Sequence, residues 1–163
     1  MAVLPLRFAP DPVLLRKAKR VSNLDGSSVQ KLIDDMLETM PAACGVGLAA
    51  PQVGISLRIA VIGLPDEEPI VLVNPEIVKR SGERVVEEGC LSIPGYRGEI
   101  KRSVSVIVKA RDRSGKETRI KGTDLLAQVL EHELDHLNGV LYIDHLESTD
   151  ELYRIKPEEE QGL

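Results

Sequence analysis

The sequence predicts an α+β fold: mixed, mostly antiparallel sheets packed around a central helix, with further helices near both ends. Three observations predict it. Apolar residues recur at helical spacing over 28–40 and again over 123–138, towards the two ends of the chain. Between them lie six short runs rich in β-branched residues and bounded by turn residues. The last two runs flank the turn sequence 111–115, which joins them as a hairpin.

Taken in order, Pro12 falls in the first turn of a short helix that begins at 11 and continues into the basic run 16–20. Ser27 or Ser28 caps a longer helix to about Met40. Val29, Leu32, Ile33, Met36 and Leu37 form its apolar stripe, and Pro41 is its stop. The strand-like runs are 58–62, 70–74, 77–80, 84–87, 103–109 and 117–121. Thr123 is a natural N-cap for the second long helix, and Gly139 its C-terminal stop. Segment 148–155 reads as a C-terminal helix, ended by Pro157 and followed by an acidic tail. With no internal repeat and no long linker, residues 1–163 read as one domain, of which 148–163 is the helix and tail.

At 163 residues the chain can bury one sizeable core. One Phe, three Tyr and no Trp leave that core to Val, Ile, Leu and Ala, and argue against a base-stacking platform. A net charge of −5 argues against a broad nucleic-acid footprint, while leaving room for local basic patches. The local basic runs 16–20 and 79–80 read as solvated faces. Two cysteines make no disulfide framework. The start, MAVLPLRFAPDPVL, lacks a basic region followed by an apolar one, and no segment approaches the length of a membrane span. A cytoplasmic protein is expected.

The segment HELDH at 132–136 carries the chemistry. Residues four apart lie one above the other on a helix, so His132 and His136 can face a single metal ion, with Glu133 beside it to move protons. The second long helix is then a metal-binding helix. The bland alternative is a pair of satisfied core histidines; His145 reads as an ordinary residue. A catalytic site needs a third protein ligand. Position 142 is Tyr, which rules out the extended three-histidine pattern, and Glu147 is one candidate. Cys90, in EGCLS at 88–92, is a better one: Gly89 lets the backbone approach closely, and a divalent cation would deprotonate the thiol. In the glycine-rich segment GVGLAAPQ at 45–52, the backbone must run close to something, and Gln52 adds an amide donor suited to an oxyanion. Cys44, among small residues, is expected to pack.

GVGLAAPQ, EGCLS and HELDH, in this order and spacing, resemble the three signatures of the peptide deformylase family, and the similarity in layout runs from about Leu4 to about Leu146. The resemblance implies a metal-dependent hydrolase that removes the formyl group from the formyl-methionine of nascent polypeptides and releases formate. It implies Cys90, His132 and His136 as metal ligands, with water as the fourth. Glu133 would be general base and then acid, and Gln52 and the backbone N–H of Leu91 would face the oxyanion. The implied metal is Fe2+, with Zn2+, Ni2+ or Co2+ able to substitute. The chemistry is coherent: the metal-bound hydroxide attacks the formyl carbon, and Glu133 passes the proton to the departing amine.

The resemblance also places Val46, Val86, Leu125 and Val129 around the side chain next to the formyl group. Gly47 lies in a segment able to pair with an extended peptide, and Arg97 lies where the family contacts that peptide. Glu88 and Asp135 read as structural charges, with Arg102 as a partner. Two positions depart from the family: Gln128 stands where an apolar residue is common, and Glu131 where Gln is. Gln128 is expected at the pocket rim or exposed, and Glu131 to matter only if buried. The acidic end of the chain disfavours rRNA, so ribosome association would be transient or use another surface. Neither DNA nor membrane is expected as a partner.

Two rival classes stay in view: a two-histidine metalloprotease using Glu147, and a noncatalytic metal-binding protein. Loss of Cys90 separates deformylation from the first, and loss of Glu133 separates both enzymes from the second.

Overall fold

A computed structural model describes residues 2–148 and 151–155. The chain begins with an extended segment and a 3-10 turn at Pro12–Leu15, where the Asp11 side chain accepts from the Val13 N–H at 3.0 Å. Helix α1 (Ser27–Ala42) leads through strand β1 (Gly47–Ala49) to β2 (Ile59–Ile62), β3 (Ile70–Ser81), β4 (Arg84–Cys90), β5 (Ile93–Arg102), β6 (Ser105–Arg111) and β7 (Glu117–Thr123). Helix α2 (Asp124–Leu137), a 3-10 turn at Tyr142–His145 and strand β8 (Leu152–Arg154) complete it.

The strands form a five-stranded sheet in the order β1-β2-β3-β6-β7 and a three-stranded sheet in the order β4-β5-β8. Every pairing between these strands is antiparallel. The first sheet is covered on both faces, which the alternation of its strands makes legible. Ala49, Ala60, Ile62 and Leu72 point to one side, where Ala127, Leu130, Leu134 and Leu137 of α2 pack. Leu48, Ile59, Val61 and Val73 point to the other, where Ile33, Met36 and Met40 of α1 pack. All four residues of β2 are fully buried, which accounts for the unbroken apolar run 59–62. Helix α2 also touches β5, so it lies between the two sheets.

The expected α+β class and the central position of α2 agree with this architecture, while several boundaries differ. Helix α1 starts on Gly26, whose carbonyl accepts from the N–H groups of Val29 and Gln30, and neither Ser27 nor Ser28 caps it. It also runs through Pro41, which sits in the last turn, where few following residues need its geometry. Thr123 occupies the cap position of α2 without a side-chain cap bond, because β7 runs directly into the helix and Thr123 is still paired with Ser105. The runs 70–74 and 77–80 are one strand, bent at Asn74-Pro75 where its register with β6 shifts. The basic run 16–20 is extended rather than helical, with Lys19 bridged to Leu57.

The expected C-terminal helix over 148–155 is corrected: Leu152–Arg154 pairs as β8 with Tyr96–Gly98 of β5. A helix that short has little stability of its own, whereas the open edge of β5 offers unpaired backbone groups and Leu152 packs beside Val86 and Cys90. The acidic tail at 156–163 lies outside the described residues.

Gly139 does end α2, at φ +75°. A Cβ there would lie 2.8 Å from the Leu15 carbonyl oxygen and 2.9 Å from Arg16 C, both backbone atoms. Gly139→Ala therefore combines left-handed strain with a backbone clash, and is expected to cost more than ~1 kcal/mol. Urea unfolding checks this; an unchanged midpoint would contradict the close docking of residues 15–16 on the end of α2.

Candidate metal centre

The alternation of β4 turns Val86, Glu88 and Cys90 inward, and a register shift between Glu88 and Cys90 sets Cys90 opposite Ile93 at the end of the β4–β5 hairpin. One turn of α2 separates His132 from His136, and both are about 1 % exposed. Cys90 Sγ lies 3.3 Å from His136 Nε2, which lies 3.2 Å from His132 Nε2. All three donor atoms fall within 4.8 Å of one another. A tetrahedral ion with bonds of about 2.0 to 2.3 Å sets its donors roughly 3.3 to 3.6 Å apart. The Cys90–His136 and His136–His132 separations and the thiolate-plus-imidazole donor set fit such an ion. Glu147, the alternative third ligand, is exposed and outside this group.

These donor side chains are held from behind. Glu88 accepts from His132 Nδ1, which fixes that ring with Nε2 towards Cys90. Arg102 on β5 donates to both Glu88 oxygens, Nη2 to Oε1 at 2.6 Å and Nε to Oε2 at 3.0 Å, and through Nη1 to Asp135 Oδ2 at 2.7 Å. Arg102 is thus the partner of both acidic residues. His145, expected to be ordinary, lies with Nε2 2.8 Å from the same Asp135 oxygen. Burial alone would raise the Glu88 carboxyl, but His132 and Arg102 outweigh it and hold it at about 2. Burial likewise opposes charge on His132, but the Glu88 carboxylate and Cys90 carry its pKa well above the ordinary value. His136 goes the other way, pushed down first by burial and then by the charge on His132.

Glu133 is fully buried, and neither carboxylate oxygen has a hydrogen-bond partner among the described residues. Burial pushes its carboxyl up to about 7, with Glu88 adding to the rise and His132 opposing it. A Cβ on Gly47 would come within 2.3 Å of Glu133 Oε2 and 3.0 Å of a Val129 methyl, so the glycine is needed to admit the carboxylate. Gln52, also fully buried, accepts from the Ala49 N–H at 3.0 Å through Oε1. That contact turns its Nε2 towards Ser92 Oγ at 3.2 Å and Cys90 Sγ at 3.7 Å.

The polypeptide deformylase family model matches residues 3–151. A peptide deformylase of Dehalococcoides mccartyi (strain CBDB1) is 59 % identical over 161 residues, covering 98 % of this chain and 96 % of its own. The chain belongs to the peptide deformylase family. Among solved structures, a peptide deformylase from Legionella pneumophila superposes with a TM-score of 0.88 at 48 % identity, over 92 % of this chain and 89 % of that one. A class I type b peptide deformylase from Acinetobacter baumannii, solved with Met-Ala-Ser bound, gives a TM-score of 0.85 at 35 % identity, over 89 % and 99 %. Peptide deformylases are metal-dependent enzymes that act on N-formyl peptides. No helix among the described residues is long and apolar enough to cross a membrane.

In this deformylase a cavity of about 340 Å³ opens beside Cys90, with Leu91 and Arg97 among its walls. Val46, Gly47, Val86, Leu125 and Val129 are not in that lining. Gly47 and Val129 meet at Glu133, Val86 packs beside Cys90, Val46 packs against the core under α2, and Leu125 is exposed. Sequence reasoning missed Phe8, Ile93 and Tyr96 in the cavity wall, because the extended N-terminal segment and the Pro- and Gly-containing β5 carry no periodic signal. Cys44 is a further correction: it is exposed and lines this cavity, because φ of +60° at the end of α1 turns it out of the core. Arg97 also pairs with Glu87 at 3.3 Å. Gln128 is not at an open rim but buried, donating to the Glu87 carbonyl and to Glu88 Oε2, both at 3.2 Å.

Arg102→Met would leave the buried Glu88 without its guanidinium. A loss of about 3–5 kcal/mol is expected in urea unfolding of the metal-free protein. A change below about 1 kcal/mol would show that Gln128 and His132 alone suffice to compensate the carboxylate.

Proposed function

We propose that this chain is a single catalytic domain that removes the formyl group from the formyl-methionine of nascent polypeptides in the cytoplasm and releases formate. The observation that carries the reading is the convergence of Cys90 Sγ and the two histidine Nε2 atoms beside a fully buried Glu133 that has no hydrogen-bond partner among the described residues. Cys90, His132 and His136 hold one divalent metal, Fe2+ by preference, with Zn2+, Ni2+ or Co2+ able to replace it. When bound, such an ion supplies Lewis acidity that makes water nucleophilic near neutral pH and polarises a carbonyl.

The chain's own groups do the rest. The Glu133 carboxylate takes a proton from the attacking water and returns it to the amine nitrogen as the C–N bond breaks, leaving formate and a free peptide amine. A carboxyl raised to about 7 by burial is suited to both transfers. Gln52 is locked by its bond to Ala49, so its Nε2 is aimed before substrate arrives. Together with the Leu91 backbone N–H it meets the charge developing on the formyl oxygen, each such donor contributing roughly 3–4 kcal/mol.

Strand β1 is an edge of its sheet, so residues 46–47 can add an extended peptide as a further strand. Val46, Val86, Leu125 and Val129 surround the first side chain, and Arg97 reaches the peptide beyond it. Met-Ala-Ser bound to the Acinetobacter baumannii relative supports an unbranched first side chain.

The deciding assay uses iron-loaded protein purified without oxygen, offered formyl-Met-Ala-Ser and acetyl-Met-Ala-Ser. Formate is expected from the first alone. Glu133→Ala is expected to lower its rate by at least about 100-fold while retaining bound metal; formate release at the parent rate would remove Glu133 from the mechanism. In air the iron form is expected to lose activity faster than the nickel or zinc forms, with oxidised Cys90 seen by mass spectrometry. Equal lifetimes for the iron and nickel forms would count against the thiolate-and-Fe2+ assignment.

A further inference from the structure

The two basic runs of the sequence are far apart in the chain, yet Lys17, Arg20 and Arg80 line one cleft of about 410 Å³. Arg58, the residue before β2, joins them. The fold brings them together through Asn74, whose side chain donates to the Val21 carbonyl at 3.0 Å and accepts from the Val21 N–H at 2.8 Å. That clamp and the bridge of Lys19 to Leu57 hold 17–21 against the sheet, over the place where β3 breaks register with β6. A smaller hollow of about 120 Å³ shares Arg20 and Asn74 and extends towards Lys109 and Arg111.

The charges in this cleft do not cancel. Arg80 is paired with Glu131 at 3.1 Å, and Arg111 lies 3.8 Å from Glu117. Asp135 is engaged by Arg102 and His145, while Glu76, exposed in the lining of both hollows, makes no ion pair among the described residues and leaves the cations of the cleft in excess. Lys17, Arg20 and Arg58 make no ion pair among the described residues. Arg58 is fixed in place by neutral acceptors: the Leu137 carbonyl at 2.8 Å, the Ala18 carbonyl at 3.4 Å and Asn138 Oδ1 at 3.0 Å. Burial and then the nearby Arg20 push its pKa down, so like charges are held together in a chain whose net charge is −5. A bound polyanion would relieve that repulsion.

We propose that this cleft binds the phosphodiester backbone of RNA. Arg58 is a preorganised cation on its floor, and the exposed Lys17 and Arg20 are adaptable phosphate ligands at its rim. No aromatic side chain lines either hollow, so recognition is of backbone rather than stacked bases. The cleft takes Leu134, Asp135 and Asn138 from the end of α2 and shares no lining residue with the cavity beside Cys90. Bound RNA therefore leaves the metal centre open. The choice of RNA over other polyanions rests on the deformylase reading: a formylated chain is met while still attached to the RNA-rich machinery that made it.

The test is fluorescence anisotropy with a labelled 16-base-pair RNA duplex at about 50 and about 200 mM salt. The wild-type protein is expected to bind at the lower salt. Lys17→Glu/Arg20→Glu is expected to weaken binding about tenfold or more and to flatten the salt dependence by about two contacts. The control Lys31→Glu/Lys101→Glu, on α1 and β5, should bind as wild type. Thermal melting checks that all three proteins fold. No binding by wild type, equal binding by the cleft variant, full competition by millimolar inorganic phosphate, or equal binding of polyglutamate would each overturn the proposal. Formate release is assayed separately and should be unchanged in the cleft variant. Absence of formate from every protein would instead count against the functional reading.

Discussion

One buried carboxylate holds the two halves of this fold to a common geometry. Glu88 on β4 receives both arms of Arg102 on β5, His132 Nδ1 and Gln128 Nε2 from α2. A buried charge is costly unless every partner is in place, so this contact disfavours any register of the β4–β5 hairpin or rotation of α2 that would leave one out. The candidate metal-binding set is divided the same way, Cys90 on the hairpin and the two histidines on the helix. What compensates Glu88 is therefore also what brings a thiol and two imidazoles within reach of one ion.

Glu133 is the opposite case. It is as buried as Glu88 but has no hydrogen-bond partner among the described residues, and Gly47 gives up a side chain so that the carboxylate fits. Local conflicts of this kind, tolerated inside an otherwise consistent fold, mark functional positions. Burial lifts Glu133 towards neutrality while the Arg102 network keeps Glu88 ionised, so two carboxyl groups on one site are pushed in opposite directions. One is suited to moving protons and the other to holding an imidazole in place.

How much of this could be read in the sequence depended on whether the signal was local. Helical spacing put His132 and His136 on one face, and the apolar stripe of α2 and the runs of β2 and β3 followed from periodicity. Strand β5, with Pro94, Gly95 and Gly98, has no such pattern and exists because β4 and β8 pair with it on either side. The C-terminal segment looked helical in isolation and became a strand because an edge was open to it. Arg102 could be suspected as a partner of Glu88 and Asp135, but joining all three requires the hairpin register and the packing of α2 together. Cys44 escaped for a smaller reason, a single residue with positive φ that turns it outward.

Gln128 and Glu131, read in the sequence as departures from the family pattern, both turn inward and extend the polar network. Gln128 adds a donor to Glu88 Oε2 beside Arg102 Nε, so both oxygens of that carboxylate are fully engaged. Glu131 accepts from the Ser103 N–H at 2.6 Å and from its hydroxyl at 3.1 Å, fastening α2 to the segment that leaves β5 immediately after Arg102. Its Oε2 also receives Arg80, whose side chain lines the basic cleft. Through these residues the polar side of α2 runs continuously from the Cys90, His132 and His136 cluster, by way of Arg102 and Glu131, to the cation-lined surface beyond. Apart from Glu133, the helix thus pairs the carboxyl groups it turns towards the second sheet, and presents chemistry on one side and charge on another.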